Sequence, residues 1–310
     1  MLSRRNIRVK VMQTLYGIES MNNETRPGEP LQMLKKNLEQ SQQLFTYLIY
    51  YITEVARYSE KNAVQKASKH LPSENDLNVN TKIAGNEIVW AVLQNASFQK
   101  SVEQCKIKYL VDDDLIRKCY FTLANSPEYK EYISLQSRDK RSEKKILEFI
   151  FSDLMLPDDH FLSDTEEKFI HWDDDAEMMI TLISGFFQKP SAFNFCEMVS
   201  KEKMDFAVTL LESVIDKNKY CLELIKPKLK NWDSERIASL DMILMKMGVC
   251  ELLYFETIPP KVTINEYIDL AKEYSTEQSG HFVNGILDNI HKELLAQNKI
   301  HKKNFKNSTL

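Results

Sequence analysis

Seven glycines in 310 residues constrain this chain more than any other feature, since average usage would supply roughly 22. β-Turns, phosphate-binding loops and dinucleotide-binding turns all draw on glycine for positive φ or close backbone approach. The shortage argues against all-β and doubly wound architectures and in favour of helices. Hydrophobic residues make up 43 % of the chain, enough to fill a core and to argue against wholesale disorder. No apolar run approaches the ~20 residues that a membrane span needs. The basic first residues are not followed by an apolar stretch and a small-residue cleavage site. The chain reads as all-α, soluble and cytoplasmic.

The residue types that carry chemistry are scattered. Cys105, Cys119, Cys196, Cys221 and Cys250 contain no CxxC pair, which fits reduced thiols and not a zinc site. No segment matches a phosphate loop, a dinucleotide turn, HExxH or GxSxG. Asp112, Asp113 and Asp114 read as a helix start, and Asp158, Asp159 and His160 as another one after Pro157. His171 and Asp173 to Asp175 include possible metal ligands, but consecutive acids converge on one ion only if a loop folds around it. No catalytic, cofactor-binding or metal-binding residue is expected, and the chain does not read as an enzyme.

Charge is distributed unevenly. The net charge is −4, yet Arg4, Arg5, Arg8 and Lys10 face only Glu19 within residues 1–20, a local +3. Residues 21–204 hold 23 basic and 29 acidic side chains, whereas 205–310 hold 14 and 15. A basic end on an acidic protein suggests a localised anionic partner, nucleic acid first among them; a solvated helix start is the plainer alternative. A second basic stretch, Lys299, His301, Lys302, Lys303 and Lys306, lies at the end of the sequence and is expected to fray.

Periodicity places the helices. Ile7, Val11, Leu15 and Ile18 form one apolar stripe over residues 4–20. The stretch Arg26-Pro27-Gly28-Glu29-Pro30 is a loop. Residues 31–69 are rich in helix formers, with aromatics at Phe45, Tyr47, Tyr50 and Tyr51, and 73–82 is polar and turn-like. Helices are expected near 83–96, 101–110, 113–124, 127–135, 139–155, 163–171 and 174–187. Phe206, Leu210, Val214 and Ile215 share a face over 203–219, and a shorter helix over 220–230 is interrupted at Pro227. Asp233 or Ser234 can cap the helix carrying Leu240, Leu244 and Met247. Pro259-Pro260 stops it, and Thr263 with Glu266 has the spacing of a capping box. A last helix starts near Ser279. The final hundred residues thus read as a helical bundle.

Within them, Asn231-Trp232, Glu235-Arg236, Leu240-Asp241, Glu251-Leu252, Lys261-Val262, Ile264-Asn265-Glu266, Ala271-Lys272 and Phe282-Val283-Asn284-Gly285-Ile286-Leu287-Asp288 stand in an order and spacing that strongly resemble the NusB transcription antitermination family. Arg4-Arg5, Arg8, Gln13 and Leu15-Tyr16 resemble its basic opening helix. The resemblance covers about 1–20 and 203–297. It leaves 21–202 as a helical insertion and 298–310 as a basic tail.

The resemblance implies an all-α fold of two small helical subdomains. It implies binding of boxA RNA in bacterial ribosomal RNA transcripts together with NusE, a small-subunit ribosomal protein. The complex joins RNA polymerase and promotes read-through; no catalysis is implied. By the same resemblance the RNA surface comprises Arg4, Arg5, Arg8 and Tyr16 on the opening helix and Lys272, Tyr274, Gln278, His281 and Phe282 around a C-terminal turn. Asp241, Lys246 and Glu251 lie on the helix that faces NusE. A second reading is a non-catalytic interaction factor in ribosome assembly, suggested by the acidic insertion.

Overall fold

The helix signals read from the sequence are realised in a computed structural model, which describes residues 1–22, 24–229 and 237–303. The described residues form helices and no strands. Asn231, Trp232, Glu235, Arg236, the expected cap at Asp233 or Ser234, and Lys306 lie outside the described residues. The chain divides into two compact units, Met1–Leu38 with Val199–Leu310, and Glu39–Met198.

The first unit holds α1 (Arg4–Ser20), the start of α2 (Glu29–Ala67), α11 (Lys201–Asp216), α12 (Asn218–Ile225), α13 (Ser239–Tyr254), α14 (Pro260–Tyr274) and α15 (Glu277–Ala296). Ser3 opens α1 as its cap: its Oγ accepts the Asn6 N–H at 3.2 Å, and Asn6 Oδ1 accepts the Ser3 N–H at 2.8 Å. The stripe Ile7, Val11, Leu15 and Ile18 is buried, and so are Arg8, Val9, Lys10, Met12, Gln13 and Thr14. α1 is therefore enclosed through most of its length. The hub is α13, which packs against α1, α11, α12, α14 and α15. It buries Ile243, Leu244, Met245, Met247, Val249 and Leu252, an apolar distribution all round that suits a central helix.

Gly248 lets α13 approach its neighbours. A Cβ there would stand 2.8 and 2.9 Å from the two Leu287 methyls and 3.3 Å from the Tyr267 ring. Both neighbours are fully buried, so neither can swing away cheaply. Gly248→Ala is expected to lose about 1–3 kcal/mol through overpacking. Urea denaturation checks this, and an unchanged midpoint would show that Leu287 repacks freely.

Four expectations for this unit need correction. Thr263 and Glu266 do not form a capping box, because α14 starts at Pro260, whose ring pre-sets φ for a first helical residue. Thr263 is thus inside the helix, and its hydroxyl donates to Glu251 at 2.9 Å. The last helix starts at Glu277, with Thr276 and Ser279 as its reciprocal cap. The basic stretch at 299–303 does not fray: Lys302 Nζ donates to the Glu251 and Phe255 carbonyls at 3.0 and 2.7 Å. Both carbonyls also accept a backbone N–H, from Phe255 and Ile258 at 3.3 and 3.2 Å, so the ammonium adds a second donor at the carbonyl end of α13, where the helix dipole favours a cation. Ile215, expected on the buried face of α11, is 39 % exposed.

The second unit holds the rest of α2 and α3 (Glu74–Leu77), α4 (Glu87–Leu93), α5 (Ala96–Gln104), α6 (Asp113–Asn125), α7 (Pro127–Ser134), α8 (Lys140–Phe149), α9 (Asp159–Lys168) and α10 (Trp172–Phe186). The helix expected at 101–110 lies earlier, as α5, because Asn95 accepts the N–H groups of Ser97 and Phe98 and so starts it. Asp112 and Asp158 each accept two backbone N–H groups at helix starts, as their sequence setting suggested. Phe45 on α2 packs on Phe193 and Phe195 with ring centroids 4.9 and 5.6 Å away. Tyr51 meets Phe161 edge-on at 5.0 Å. Such offset and edge arrangements add to the area that the rings bury. α8 continues into a π-helical turn, Ile150–Met155.

Candidate nucleic-acid interface

The opening helix presents its arginines to acids from the other end of the sequence. Arg4, half-buried, reaches Glu202 on α11 at 2.6 Å, and the Glu202 side chain is largely open to water. Arg5 reaches Glu273 at 2.6 Å and Asp269 at 3.7 Å, both on α14. Partial burial disfavours the charge on Arg5, and Glu273 more than offsets that, so its pKa rises.

Arg8 takes a different role. Its Nε and one terminal nitrogen form a bidentate pair with Glu251 at 2.8 Å each, and its other terminal nitrogen reaches Glu266 at 3.1 Å. The guanidinium also lies 5.5 Å from the centre of the Phe206 ring and 5.9 Å from that of Tyr267. Thr263 and Tyr267 hydroxyls donate to the same Glu251 carboxylate at 2.9 and 3.0 Å. Arg8 is 2 % exposed and Glu251 fully buried. Burial opposes the Arg8 charge, but the Glu251 hydrogen bonds and charge outweigh it and raise the pKa. Arg8 and Glu251 are therefore core ions, and neither stands on the surface that the resemblance assigned to it.

The turn between α14 and α15 carries the second group of expected residues. Lys272 is exposed and makes no ion pair among the described residues. Its stem lies over Gly280, where a Cβ would come within 2.6 Å of Lys272 Cγ. Glycine at 280 thus gives the lysine stem a bed on the next helix. Gln278 and His281 are exposed, Tyr274 is half-buried and Phe282 is buried. Phe282 belongs to the core side of α15, together with Val283, Ile286 and Leu287.

Arg5 touches Glu273 on the last turn of α14, between Lys272 and Tyr274 in sequence, while Gln278 and His281 stand in the first turns of α15. Tyr16, which is half exposed, stands apart: eleven helical residues separate it from Arg5, about 16 Å along the axis. The residues expected to face a protein partner also diverge. Asp241 is buried, and one of its oxygens accepts the Ser279 hydroxyl at 2.8 Å. That places its charge near the amino end of α15, where the helix dipole favours an anion. Lys246 instead lines a groove of about 240 Å3 with Leu15, Ile18, Ile215 and Ile243.

The acids were missed by sequence reasoning. Glu202, Glu273 and Asp269 lie in no motif, and only the fold sets them against arginines some 200 to 270 positions away. For Arg8 a signal existed. With Met12 and Leu15 it keeps helical spacing of four and three, inside the arc that the core must cover.

A profile of the NusB family matches residues 187–292. A transcription antitermination protein NusB from Finegoldia magna is 37 % identical over 110 residues, which are 35 % of this chain and 80 % of that protein. The chain belongs to the NusB family. The protein of the same name from Salinibacter ruber is 42 % identical over 98 residues, 32 % of this chain and 61 % of its own length. That from Chloroherpeton thalassium is 41 % identical over 98 residues and is matched over 46 % of its length. No solved structure matches the chain. The NusB match falls mainly on α11 to α15, which carry the acidic partners of α1 and the α14–α15 turn. Among the described residues no cluster of acids, histidines and cysteines could hold a metal ion, and no helix is long and apolar enough to cross a membrane.

Proposed function

We propose that this protein is an RNA-binding transcription antitermination factor that works without catalysis in the cytoplasm. It binds boxA RNA of ribosomal RNA transcripts together with NusE and promotes read-through by RNA polymerase. Residues 1–20 and 203–297 form the RNA-binding domain in this reading, with 21–202 as an added helical insertion and 298–310 as a basic tail. The observation that carries the proposal is the meeting of Arg5 with the end of α14. It brings one cation of α1 to the end of the helix that carries Lys272 and Tyr274, and His281 stands on the helix that follows. Cations neutralise phosphates, and rings stack on unpaired bases.

Filter binding of boxA RNA with NusE present tests this reading. Arg4→Ala with Arg5→Ala is expected to weaken binding about tenfold and to lower the log–log salt slope by about 1.4, two phosphate contacts' worth on a single strand. Glu273→Gln is expected to tighten it about threefold, because the phosphate no longer competes with a carboxylate for Arg5. Affinity no better than for scrambled RNA at matched salt defeats the proposal. A second reading, an interaction factor in ribosome assembly without RNA binding, is favoured by the carboxylate that already meets each opening arginine. NusE binding that persists while the arginine variants leave RNA affinity unchanged would select it.

A further inference from the structure

Residues 39–198 contain a groove of about 390 Å3 between α7, α8 and the π turn. Leu135, Ile146, Phe149 and Tyr132 supply its apolar lining. The Tyr132 hydroxyl is turned to Glu143 at 2.8 Å, which satisfies its polar end away from any occupant. Leu135 is 39 % exposed, an apolar side chain left to water at the groove.

The charged lining has one dominant sign. Glu128, Glu131, Glu148 and Asp153 line the groove against Lys145 alone. Glu148 is compensated by Lys144 at 3.1 Å. Glu128, Glu131 and Asp153 have no ion pair among the described residues. Glu128 and Glu131 are three residues apart on α7, so they lie side by side at about 5–6 Å between Cβ atoms.

One wall is unusual. The turn Ile150–Met155 is a π helix, closed by the Leu156 N–H donating to the Phe151 carbonyl five residues back at 3.0 Å. Such turns are rare and occur often at functional sites. This one carries Ser152 and Asp153 into the lining.

The chemistry selects the occupant. Nucleic acid and anionic lipid are repelled by a lining in which Glu128, Glu131 and Asp153 outnumber the single lining cation, Lys145. A bare metal ion finds no ligand set among the described residues. The volume suits one or two bulky side chains, and acids flank the apolar lining from α7 and from the π turn. We infer that this groove docks a Lys/Arg-rich segment of a protein partner, with one large apolar side chain seated on Leu135, Ile146 and Phe149 and its cations paired with Glu128, Glu131 and Asp153. This inference does not depend on the RNA reading.

The test is fluorescence anisotropy of the full chain with a short fluorescein-labelled peptide of lysine pairs separated by leucines, at physiological salt. Glu128→Lys with Glu131→Lys is expected to weaken binding about tenfold. The same charge change at the exposed pair Glu166 and Glu167 on α9 is expected to alter it less than about threefold. Leu135→Ser, which keeps every charge, is expected to cost about threefold, and decides the matter if the double variant fails to fold. The boxA affinity of all three variants is expected to stay at that of the unaltered chain. Equal losses from the two charge reversals, or equal binding of a leucine-free lysine peptide or of spermidine, would overturn the inference, as would no saturable binding.

Discussion

Arg8→Ala is expected to cost the NusB unit about 3–5 kcal/mol, a large share of the about 5–15 kcal/mol that holds an ordinary domain folded. The reason lies in what stays behind. Glu251 is fully buried, and without the guanidinium its carboxylate keeps only the Thr263 and Tyr267 hydroxyls. Glu266 is deprived of the same cation. A charge left in the interior with two neutral donors is far costlier than a broken ion pair at the surface. Replacing both partners together, Arg8→Met with Glu251→Leu, is expected to cost clearly less than the sum of the single changes, since no ion is then stranded. Urea denaturation of the four proteins gives the comparison. A loss under about 1 kcal/mol for Arg8→Ala would mean that the pair is solvated after all.

Glu143→Ala is expected to have a comparable effect, about 3 kcal/mol, on residues 39–198. Glu143 is fully buried. It accepts the Tyr132 hydroxyl at 2.8 Å, the Glu87 backbone N–H at 2.7 Å and Arg138 at 3.2 and 3.3 Å. One carboxylate therefore holds the start of α4, a ring on α7 and the cation that precedes α8. Burial, and then the hydrogen bond to Glu143, push the Tyr132 hydroxyl above its ordinary pKa, so this group remains a donor even in alkaline solution. Alanine strands that hydroxyl and an N–H at the helix start that the fold leaves no other means to satisfy. Glu143→Gln keeps one acceptor and is expected to lose roughly half as much. Hydrogen exchange resolved to residues 82–150 reads the effect where it arises. Unchanged protection of the Glu87 amide would rule out this account.

Local patterns in the sequence were enough to find the helices. The stripe Ile7, Val11, Leu15 and Ile18 specifies α1 because its spacing admits only one buried face. Asp112 and Asp158 mark helix starts because a short carboxylate in that position has free N–H groups to meet. Thr263 and Glu266 show where such reasoning stops. Their spacing satisfies a capping box, but Pro260 starts the helix a turn earlier, and both side chains turn to partners on other helices. The candidate site was legible to a similar degree. The cations of α1 and those of the α14–α15 turn could be named, while the acids that meet the arginines could not. No local rule pairs Arg5 with Glu273 across 268 positions. Lys302 follows the same pattern: a basic stretch of this kind usually frays, and only the fold places the Glu251 and Phe255 carbonyls beside it.

The separation of Arg8 from Glu251, 243 positions along the chain, also sets an order of events during synthesis. At about 5–20 residues per second, the ribosome makes Glu251 about 12–50 s after Arg8. Throughout that interval the Arg8 guanidinium lacks the carboxylate that pairs it, and α1 lacks the face of α13, although the start of α2 and then α11 can already pack on it. Residues 39–198, by contrast, have left the peptidyl-transferase centre before α11 is begun. Closure of α1 against α13 is thus a late event, and until it occurs part of the apolar stripe of α1 is open to the mispairing that chaperones suppress.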